Sequence, residues 1–462
     1  MTTLKSTMFR DYDLRGRVSE DELNEHSMEL IAKGYGTMLR KRGIPSAVLG
    51  YDARESSAAF HAAFKRGLLS TEIDIYDIGL ALTPMMYWAQ YHYQTQGGAM
   101  VTASHNPSGW SGLKLALGYS YTTLKHEIDE LYDLILRDDF AEGEGRVLRE
   151  ERIEDLYIED LVSRVNIGRP LKVLVNAGNG TAGPMALRLF NRAGCEVVGL
   201  HCEMDMSYPH YFPNPALVEM MEDTGQKVRE VKADIGIAID GDGDRLGMTD
   251  EQGEIVWPDR FMILLARQIL EKSGAKKIVF DVKCSQALAE DIEAHGGEPV
   301  MWKTGHSWIK SKCREIGAAM GGEMSGHMFI FDRYYGFDDA VFAGLRMIEY
   351  LSNQDRTYSE LISNTPHYFS SPALQVDCAD EVKYEVVSKL TEEFKKEYEV
   401  IDIDGARVLF GDGWGLVRAS SNLPVLVMRF EAQTPERLEE IVGIFRAKFG
   451  LYLEIGDEWH SG

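Results

Sequence analysis

Three segments of the chain share a pattern in which an apolar run passes through a small or polar loop into a helical periodicity. The segments are AVLGYDARESSAAF from Ala47, KVLVNAGNGTAGPMALRLF from Lys172 and KIVFDVKCSQALAEDI from Lys277. A buried strand followed directly by a helix is typical of βαβ units with parallel strands. The pattern therefore predicts three similar α/β units, each with a mixed sheet between helices.

Each unit is followed by a second apolar run that ends in an unusual loop. The three runs with their loops are AMVTASHNPSGWSG, DIGIAIDGDGDRLG and AAMGGEMSGHMF. Because ligands of open α/β sheets bind beyond the carboxyl ends of the strands, the three loops can converge only if three domains surround one cleft. The repeat predicts that arrangement, with one shared site.

The stretch from Ser363 to Cys378, SNTPHYFSSPALQVDC, is polar and contains prolines, which favours a linker. The chain after it changes to a helix, strand pairs and a final helix, which predicts a fourth domain of α+β type. The fold class is then α/β, with three similar α/β domains and a C-terminal α+β domain around a central cleft. The predicted domains span residues 1–149, 150–252, 253–366 and 367–462.

Charge and cysteine content narrow the function further. Lys and Arg total 49 against 73 Asp and Glu, a formal net charge of -24, which disfavours nucleic acid or an anionic membrane as a partner. The five cysteines are scattered without CxxC spacing, which favours neither a disulfide framework nor a thiolate metal site. No apolar run approaches the roughly 18 residues of a membrane span. The sequence predicts a cytoplasmic monomer or dimer with a small-molecule substrate.

Asp240, Asp242 and Asp244 alternate in IGIAIDGDGDRLG, directly after a β-rich run. Like charges this close repel each other, and a hard divalent cation with oxygen ligands offsets the repulsion. An EF-hand loop also places acids at such positions, but Arg245 stands where its sharp turn needs Gly. Two other interpretations stay open: a Mg²⁺-dependent phosphatase that uses Asp240 as its nucleophile, and a solvated acidic turn.

Ser104 lies in VTASHNPSGWSG, a turn rich in small residues. A hydroxyl in such a turn can act as a nucleophile or carry a phosphoryl group, whose charge a nearby cation would offset. An ordinary turn serine is the alternative. Alternation along an extended backbone would point His105 away from Ser104, so we do not expect His105 to be the base. Lys114 could reach back toward the same pocket.

Glu323, Ser325 and His327 alternate in GGEMSGHMF, so they share one face of an extended backbone. A carboxylate, a hydroxyl and an imidazole that point together suit a polyhydroxylated ligand such as a sugar. A polar loop whose groups satisfy one another is the alternative. Just upstream, Gly305 and His306 precede a helical pattern in WKTGHSWIK, and His306 is a candidate acid or base or a packing residue.

The segment WGLVRASSNLPVLVMRFEA places hydroxyl and amide side chains beside an arginine, between two β-rich runs. A guanidinium with hydroxyls and backbone N–H groups in one turn is suited to binding phosphate. The residues concerned are Arg418, Ser420, Ser421 and Asn422.

Five motifs taken together resemble the α-D-phosphohexomutase family. They are FRDYDLRG, TASHNP, DGDGDR, GEMSGH and the Arg418 loop, in matching order and spacing along essentially the entire chain. The bacterial phosphomannomutase/phosphoglucomutase branch is the most similar, because GEMSG is typical of members that act on glucose or mannose phosphates. Amino-sugar members usually have Gln at the position of Met324, and a phosphoglucosamine mutase is the alternative within the family.

The resemblance implies roles for the candidate residues. Ser104 would carry the phosphoryl group, and together with it Asp240, Asp242 and Asp244 would hold Mg²⁺. The residues implied in catalysis and proton transfer are Arg15, Lys114, His306 and His327. The residues implied in binding the sugar and its phosphates are Tyr12, Arg245, Lys283, Gly305, Glu323, Ser325, Arg418, Ser420, Ser421 and Asn422.

The implied reaction interconverts hexose 1-phosphate and hexose 6-phosphate, of mannose, glucose or both, through a phosphoserine enzyme. Hexose 1,6-bisphosphate is the implied intermediate and activator, and Mg²⁺ the implied cofactor. Because water competes with the sugar hydroxyl for the phosphoryl group, we expect the fourth domain to close as a phosphate-binding lid, hinged near residues 363–372. The alternatives outside the family are the Asp240 phosphatase and a non-catalytic sugar-phosphate or Ca²⁺ binding protein.

Overall fold

The computed structural model describes residues 4–420, 423–452, 455–456 and 458–461, which fall into two compact units. The first unit contains the described residues up to Phe261 together with Ser325–Leu361. The second contains Met262–Met324 together with the described residues from Ile362 onward. Among the described residues, no helix is both long and apolar enough to cross a membrane.

The N-terminal part of the first unit is a mixed sheet covered by helices. Its elements are a 3₁₀ turn (Ser6–Met8), β1 (Leu14–Arg17), α1 (Glu25–Lys41), β2 (Ser46–Tyr51), α2 (Ser57–Leu69), β3 (Asp74–Leu80), α3 (Thr83–His92), β4 (Gly97–Val101), β5 (Trp110–Leu117), α4 (Lys125–Arg137) and β6 (Val147–Leu148). The strand order is β1-β5-β4-β2-β3-β6. Strands β2, β3, β4 and β6 pair in parallel, while β5 pairs antiparallel with β4 and β1.

A capping residue explains where α1 begins, and a glycine on α2 explains how closely the two helices pack. Asn24 caps the helix by accepting the N–H of Ser27, whose Oγ accepts the N–H of Asn24 in return. On α2, Gly67 lies so close to the backbone of Glu29 that a Cβ would clash with its carbonyl oxygen. The two helices therefore pack backbone to backbone over the buried strands β2 and β4.

A second mixed sheet follows in the first unit. Its elements are α5 (Ile153–Ser163), β7 (Lys172–Asn176), α6 (Gly183–Arg192), β8 (Glu196–Leu200), α7 (Val218–Val231), β9 (Ile235–Ile239), β10 (Leu246–Thr249) and β11 (Ile255–Val256). The strand order is β11-β10-β9-β7-β8, with β7 parallel to both β8 and β9. Every residue of β9 is buried, which is why its sequence is continuously apolar up to Asp240.

The next part of the chain contributes to both units. Its elements are α8 (Pro258–Lys272), β12 (Lys277–Asp281), α9 (Gln286–Ala294), β13 (Glu298–Trp302), α10 (His306–Ile316), β14 (Met320–Gly322), β15 (Met328–Ile330), α11 (Ala340–Ser352) and α12 (Tyr358–Ser363). In the second unit, β12 lies between β13 and β14 and is parallel to both. In the first unit, α11 packs through Gly344 against Phe190 and Ile237.

The three parallel strand triplets have the same order, β3-β2-β4, β8-β7-β9 and β13-β12-β14. In each triplet the last strand is the one that ends at an unusual loop, because β4 precedes Ser104, β9 precedes Asp240 and β14 precedes Glu323. The prediction of three similar units, each presenting a loop from the same topological place, is confirmed.

The C-terminal part of the second unit is an antiparallel sheet with two helices. Its elements are β16 (Phe369–Ser370), β17 (Leu374–Asp377), α13 (Lys383–Lys395), β18 (Glu399–Ile401), β19 (Ala406–Leu409), β20 (Gly413–Ala419), β21 (Val425–Ala432), α14 (Pro435–Phe449) and β22 (His460–Ser461). The strand order is β18-β19-β20-β21-β17-β22, and β16 also pairs with β21. Phe394, Phe430 and Phe445 pack together between the sheet and the helices.

The predicted linker from Ser363 to Cys378 is wrong in one respect, because it contains two strands of this sheet. Strands β16 and β17 both pair antiparallel with β21. Most of their side chains are exposed or half-buried, so the segment shows little of the apolar pattern that predicts a strand.

Candidate active site

The loop after β4 holds Ser104 in an uncommon backbone conformation. Ser104 has a φ of 51°, in the left-handed region that few non-glycine residues adopt. Its N–H donates to Oγ1 of Thr102 at 2.8 Å, and its side chain is buried. Backbone strain of this kind concentrates at functional sites, where the surrounding structure holds it in place.

Arg54, from the loop after β2, holds the Ser104 loop in shape. Its Nη2 donates to the carbonyl of Ser104 at 2.8 Å, and its Nη1 donates to the carbonyls of Pro107 at 3.0 Å and Trp110 at 3.3 Å. Asp52 Oδ2 lies 3.3 Å from Nε and offsets the buried charge. Sequence reasoning missed Arg54, because no motif links it to a loop so distant along the chain.

Ser104 and Asp240 are in direct contact. The Oγ of Ser104 donates to Oδ2 of Asp240 at 2.8 Å. The other carboxylate oxygen, Oδ1, accepts the backbone N–H groups of Gly243 at 3.0 Å, Asp244 at 3.0 Å and Arg245 at 3.1 Å. Burial and the neighbouring carboxylates raise the pKa of Asp240 well above its ordinary value. The hydrogen bonds thus fix the orientation of Asp240, while burial and the neighbouring carboxylates disfavour its negative charge.

Lys114 lies between the other two carboxylates of the loop. Its Nζ donates to Oδ2 of Asp242 at 2.7 Å and also to Oδ2 of Asp244. Thr83 and Thr102 donate their hydroxyls to the same oxygen of Asp242, at 2.6 Å and 3.2 Å. Burial opposes both charges, but the pairing outweighs it, so the pKa of Asp242 is lowered and that of Lys114 is raised. The two threonines were not among the predicted site residues.

The three aspartates of the loop fit a divalent cation. One oxygen from each of Asp240, Asp242 and Asp244 can be chosen so that all lie within 4.8 Å of one another. Among the described residues, Oδ1 of Asp242 and Oδ1 of Asp244 are buried without a hydrogen-bond partner. A buried carboxylate oxygen without a partner is costly, and a hard cation such as Mg²⁺ supplies the missing interaction.

His105 contradicts the expectation drawn from alternation. Its Nδ1 lies 3.1 Å from Oγ of Ser104, because the left-handed conformation of Ser104 breaks the extended geometry on which alternation depends. Burial and the charges of Arg245 and Arg15 lower the pKa of His105 well below its ordinary value. A neutral imidazole therefore stands beside the hydroxyl.

Arg15, on β1, braces the same loop from the other side. Its Nη1 donates to the carbonyl of Ala103 at 2.8 Å and to Oδ1 of Asn106 at 2.6 Å, while its Nε donates to Asp13 at 2.8 Å. Burial opposes the charge, but Asp13 outweighs it, so the pKa of Arg15 is raised; the field of Tyr12 adds a smaller contribution. Arg15 is a cation beside Ser104.

Arg245 and His327 meet directly before the start of β10. They form a backbone bridge, and Nε of Arg245 donates to Nε2 of His327 at 2.8 Å. The first unit therefore brings together Arg15, Ser104, Lys114, Asp240, Asp242, Asp244, Arg245 and His327. Ser325, in the same unit, is half-buried in the loop before β15.

The second unit brings together another group of predicted residues. Glu323 is buried and its Oε1 accepts the N–H of Gly305 at 2.5 Å, next to His306 at the start of α10. Oδ2 of Asp404 accepts both the N–H of Thr304 at 3.0 Å and Nε of Arg418 at 2.9 Å. Asp404 therefore joins the loop that contains Thr304 and Gly305 to Arg418, the residue predicted to bind phosphate. The sequence did not single out Asp404.

Lys283 and Ser420 complete this group. Nζ of Lys283 lies 3.2 Å from Oδ2 of Asp281, and although burial raises the pKa of that carboxyl, Lys283 and hydrogen bonds lower it overall. Ser420 accepts the N–H of Leu423 on its Oγ at 3.2 Å. Ser421 and Asn422, the remaining predicted phosphate ligands, lie outside the described residues.

Gly241 is the point where the aspartate loop touches the serine loop. A Cβ at this position would lie well inside van der Waals contact with the carbonyl oxygen of Ser104. We expect Gly241→Ala to displace Ser104 and to lower kcat about 100-fold, the cost of a misplacement of about 1 Å. Steady-state kinetics measures the loss. The control is Gly443→Ala on α14, because the added methyl group would have nothing within 4 Å of it, and it should leave kcat unchanged. Wild-type kcat in Gly241→Ala would show that the contact does not position Ser104.

Comparison with protein families gives four matches along the chain. All four are described as phosphoglucomutase/phosphomannomutase domains. The alpha/beta/alpha domains I, II and III match residues 6–142, 155–253 and 257–369, and the C-terminal domain matches residues 374–448.

Individual proteins resemble the chain over nearly its whole length. The phosphomannomutase/phosphoglucomutase of Pseudomonas putida is 39% identical over 446 residues, 96% of each chain. A phosphoglucomutase of Neisseria gonorrhoeae is 38% identical over 452 residues, 97% of each chain. The crystal structure of a phosphoglucomutase/phosphomannomutase family protein from Burkholderia thailandensis matches with a TM-score of 0.90 and 36% identity, covering 97% of this chain and 98% of that one.

Proposed function

Since the chain belongs to the phosphoglucomutase/phosphomannomutase family, we propose that Ser104 is the residue that carries the phosphoryl group of its reaction. The protein is a phosphohexomutase that interconverts hexose 1-phosphate and hexose 6-phosphate, of mannose, glucose or both. The predicted family, the activity and the fold class of three α/β domains with a C-terminal α+β domain are confirmed. The observation that carries the assignment of Ser104 is its buried hydrogen bond to Asp240.

The reaction proceeds in two transfers between Ser104 and the sugar. In the first, the P–O bond to Ser104 breaks, a P–O bond to the free sugar hydroxyl forms, and that hydroxyl loses its proton. The product is a hexose 1,6-bisphosphate, and the serine oxygen takes up a proton. In the second transfer, the other phosphoryl group leaves its sugar oxygen and passes to Ser104. The serine hydroxyl loses its proton, and the sugar oxygen that lost the phosphoryl group takes up a proton. Such transfers depend mainly on positioning and charge stabilisation.

Two cations contact the loops that contain Ser104 and the three aspartates. Arg15 contacts the carbonyl of Ala103 and the side chain of Asn106, and Lys114 lies on Asp242 and Asp244. Because their raised pKa values keep both groups charged, they suit binding of phosphoryl oxygens better than removal of a proton. His105, whose Nδ1 lies 3.1 Å from Oγ, is our candidate for proton exchange with Ser104.

Asp240, Asp242 and Asp244 would hold Mg²⁺ together with the phosphoryl group on Ser104. When bound, Mg²⁺ supplies charge neutralisation for the phosphoryl oxygens. The buried oxygens of Asp242 and Asp244 that meet no hydrogen-bond donor in the described part of the chain support this role. The same geometry weakens the phosphatase alternative, because both oxygens of Asp240 are already held, one by Ser104 and one by three backbone N–H groups.

Further residues are proposed to bind the rest of the substrate. Glu323, held by the N–H of Gly305, would accept hydrogen bonds from sugar hydroxyls, with Ser325 as a second contact. Arg418, oriented by Asp404, would bind the phosphate that does not react. The other residues proposed for this binding are Tyr12, Arg245, Lys283, Ser420, Ser421 and Asn422, and His306 is proposed for proton transfer to the sugar.

A coupled assay tests the function directly. Purified protein with Mg²⁺ and a trace of glucose 1,6-bisphosphate is given glucose 1-phosphate or mannose 1-phosphate, and the 6-phosphate product and free phosphate are measured together. We expect 6-phosphate to form with at least one sugar and free phosphate to stay at background. Stoichiometric release of phosphate would identify a phosphatase, and binding without turnover a non-catalytic protein.

Removal of divalent cations is expected to stop the reaction. Treatment with EDTA should lower turnover at least about 100-fold, because a bound cation stabilises transition-state charge by several kcal/mol. Dialysis followed by added Mg²⁺ should restore it, and this recovery separates loss of the cation from unfolding. Full activity in the chelated protein, with the metal content shown to be zero, would refute the cation site.

A further inference from the structure

The C-terminal sheet of the second unit carries charged side chains on a face that is nonetheless buried. Arg407 on β19, Leu416 on β20 and Arg429 on β21 lie directly opposite one another, so they share one face of the sheet. Two residues away on the same strands, Trp414 lies opposite Glu431. All five residues are buried. Because the other face packs its apolar side chains against α13 and α14, the charged face is the one that contacts the rest of the unit.

The charged face holds the loop that follows β12. Nη1 of Arg407 donates to the carbonyl of Val282 at 2.6 Å and to the carbonyl of Cys284 at 2.8 Å. Nη1 of Arg429 donates to the carbonyl between them, which is that of Lys283. Two guanidinium groups therefore bind three consecutive carbonyls, and Lys283 is the central residue of the three.

These hydrogen bonds restrain the backbone on both sides of Lys283. A peptide group is planar, so a donor that holds the carbonyl restrains the whole plane. The carbonyl of Val282 belongs to the plane before Lys283, and the carbonyl of Lys283 belongs to the plane after it. Together the two planes restrain φ and ψ of Lys283, and thus the direction in which its side chain leaves the backbone.

The end of the Lys283 side chain is held as well. Its Nζ lies 3.2 Å from Oδ2 of Asp281. The same oxygen accepts the hydroxyl of Thr304 at 3.0 Å, and the other oxygen of Asp281 accepts the N–H of Met324 at 3.1 Å. The ammonium group is therefore placed beside the loop that contains Glu323, which is proposed above to bind sugar hydroxyls.

Burial makes Arg407 costly to the fold. Desolvation lowers its pKa to about 10, and its Nε and Nη2 meet no hydrogen-bond acceptor within the described residues. Stacking on Trp414 offsets part of the cost, since Cζ lies 3.6 Å from the centre of the ring. The hydrophobic cluster around this ring also contains Val282 and Leu416. An apolar side chain would be buried here at less cost, which points to the carbonyls of the loop as the reason for an arginine.

We propose that Arg407 is a positioning residue for substrate binding: together with Arg429 it fixes the loop that contains Lys283, and it thereby aims the Lys283 ammonium group at an anionic oxygen of the substrate. The inference rests on the proposed function, in which Lys283 binds the sugar phosphate. Arg407 itself need not touch the substrate. Its loss should weaken substrate binding because the loop is released.

Hydrogen exchange measures the state of the loop without any activity. Three amides of the segment 282–286 donate hydrogen bonds within the second unit, so their exchange reports whether the segment stays in place. In full-length Arg407→Met we expect these amides to exchange at least about 10-fold faster, while exchange in β20 and β21 is unchanged. Wild-type exchange in the segment 282–286, or an equal acceleration in β20 and β21, would overturn the proposal.

A double-mutant cycle tests the connection to Lys283. Arg407→Met should raise KM for the hexose 1-phosphate about 10- to 100-fold and change kcat less than about 3-fold, because the interaction is made in the bound substrate already. Added to Lys283→Met, it should lower kcat/KM less than about 2-fold further, since the group that the loop aims is gone. An equal loss in both backgrounds, or an unchanged KM in Arg407→Met, would refute the proposed role. If Arg407→Met fails to fold, Arg407→Gln takes its place in both experiments.

Arg446→Met is the matched control. Arg446 on α14 is another arginine of the second unit that stacks on a tryptophan, with its Cζ 4.1 Å from the centre of the Trp459 ring. Its substitution should leave KM and the exchange of the segment 282–286 unchanged. The failure of the proposed function is a separate result, because it would appear as absent mutase turnover in the wild-type protein while hydrogen exchange remains measurable.

Discussion

Ser104→Ala is expected to lose mutase turnover about 10,000-fold or more, the scale seen when an enzyme loses its covalent nucleophile. The hydroxyl is the group that would carry the phosphoryl group, and it is buried against Asp240. Substrate binding should persist, because the residues proposed for binding sugar and distal phosphate are unchanged. The variant should therefore bind hexose phosphate without turning it over.

Two measurements check this prediction together. Coupled assays give the turnover, and intact mass after incubation with glucose 1,6-bisphosphate gives the covalent phosphate, which should be present in the wild-type protein and absent in Ser104→Ala. A phosphoserine resists hydroxylamine, whereas an aspartyl phosphate does not. Ser108→Ala, at an exposed position of the same loop, is the matched control and should keep both activity and phosphate. A hydroxylamine-labile phosphate on Asp240 would contradict the assignment.

The fold was predictable because each of its three similar units has the same local sequence pattern, an apolar strand followed by a loop and a helix. A strand buried on both faces must be continuously apolar, as in β4 and β9, and the polar loop after each strand therefore stands out in the sequence. Asp240, Asp242 and Asp244 were also predictable, since three acids in five residues need a compensating charge. The edge strands β16 and β17 escaped detection because their side chains are mostly not buried.

The residues that hold the site in shape were not predictable in the same way. Arg54 acts on Ser104 across 50 positions of sequence, and Thr83 acts on Asp242 across 159. Neither lies in a motif, and a single arginine or threonine after a strand has no local signature. The prediction that His105 points away from Ser104 was wrong for a different reason. Alternation assumes an extended backbone, and Ser104 adopts a left-handed one. Pairing between distant loops is a property of the tertiary structure.

Asp242→Asn is the second substitution with a large expected effect. The change keeps the size of the side chain but removes its charge, and Asp242 has a buried Oδ1 that meets no hydrogen-bond donor among the described residues. If that oxygen is a ligand of Mg²⁺, its loss should remove several kcal/mol of charge stabilisation and lower kcat about 100- to 10,000-fold. Lys114 would keep one partner, because it also donates to Asp244, so the fold should survive.

The measurement that identifies the cause is the dependence of turnover on Mg²⁺ concentration. If Asp242 binds the cation, Asp242→Asn should need much more Mg²⁺ for half-maximal activity than the wild-type protein does. Asp133→Asn, at an exposed carboxylate on α4, removes the same charge elsewhere and should leave this requirement unchanged. A loss of kcat with an unaltered Mg²⁺ requirement would mean that Asp242 acts through Lys114, whose Nζ donates to it at 2.7 Å, and not as a metal ligand. The two outcomes separate charge pairing at Oδ2 from metal binding at Oδ1 of the same carboxylate.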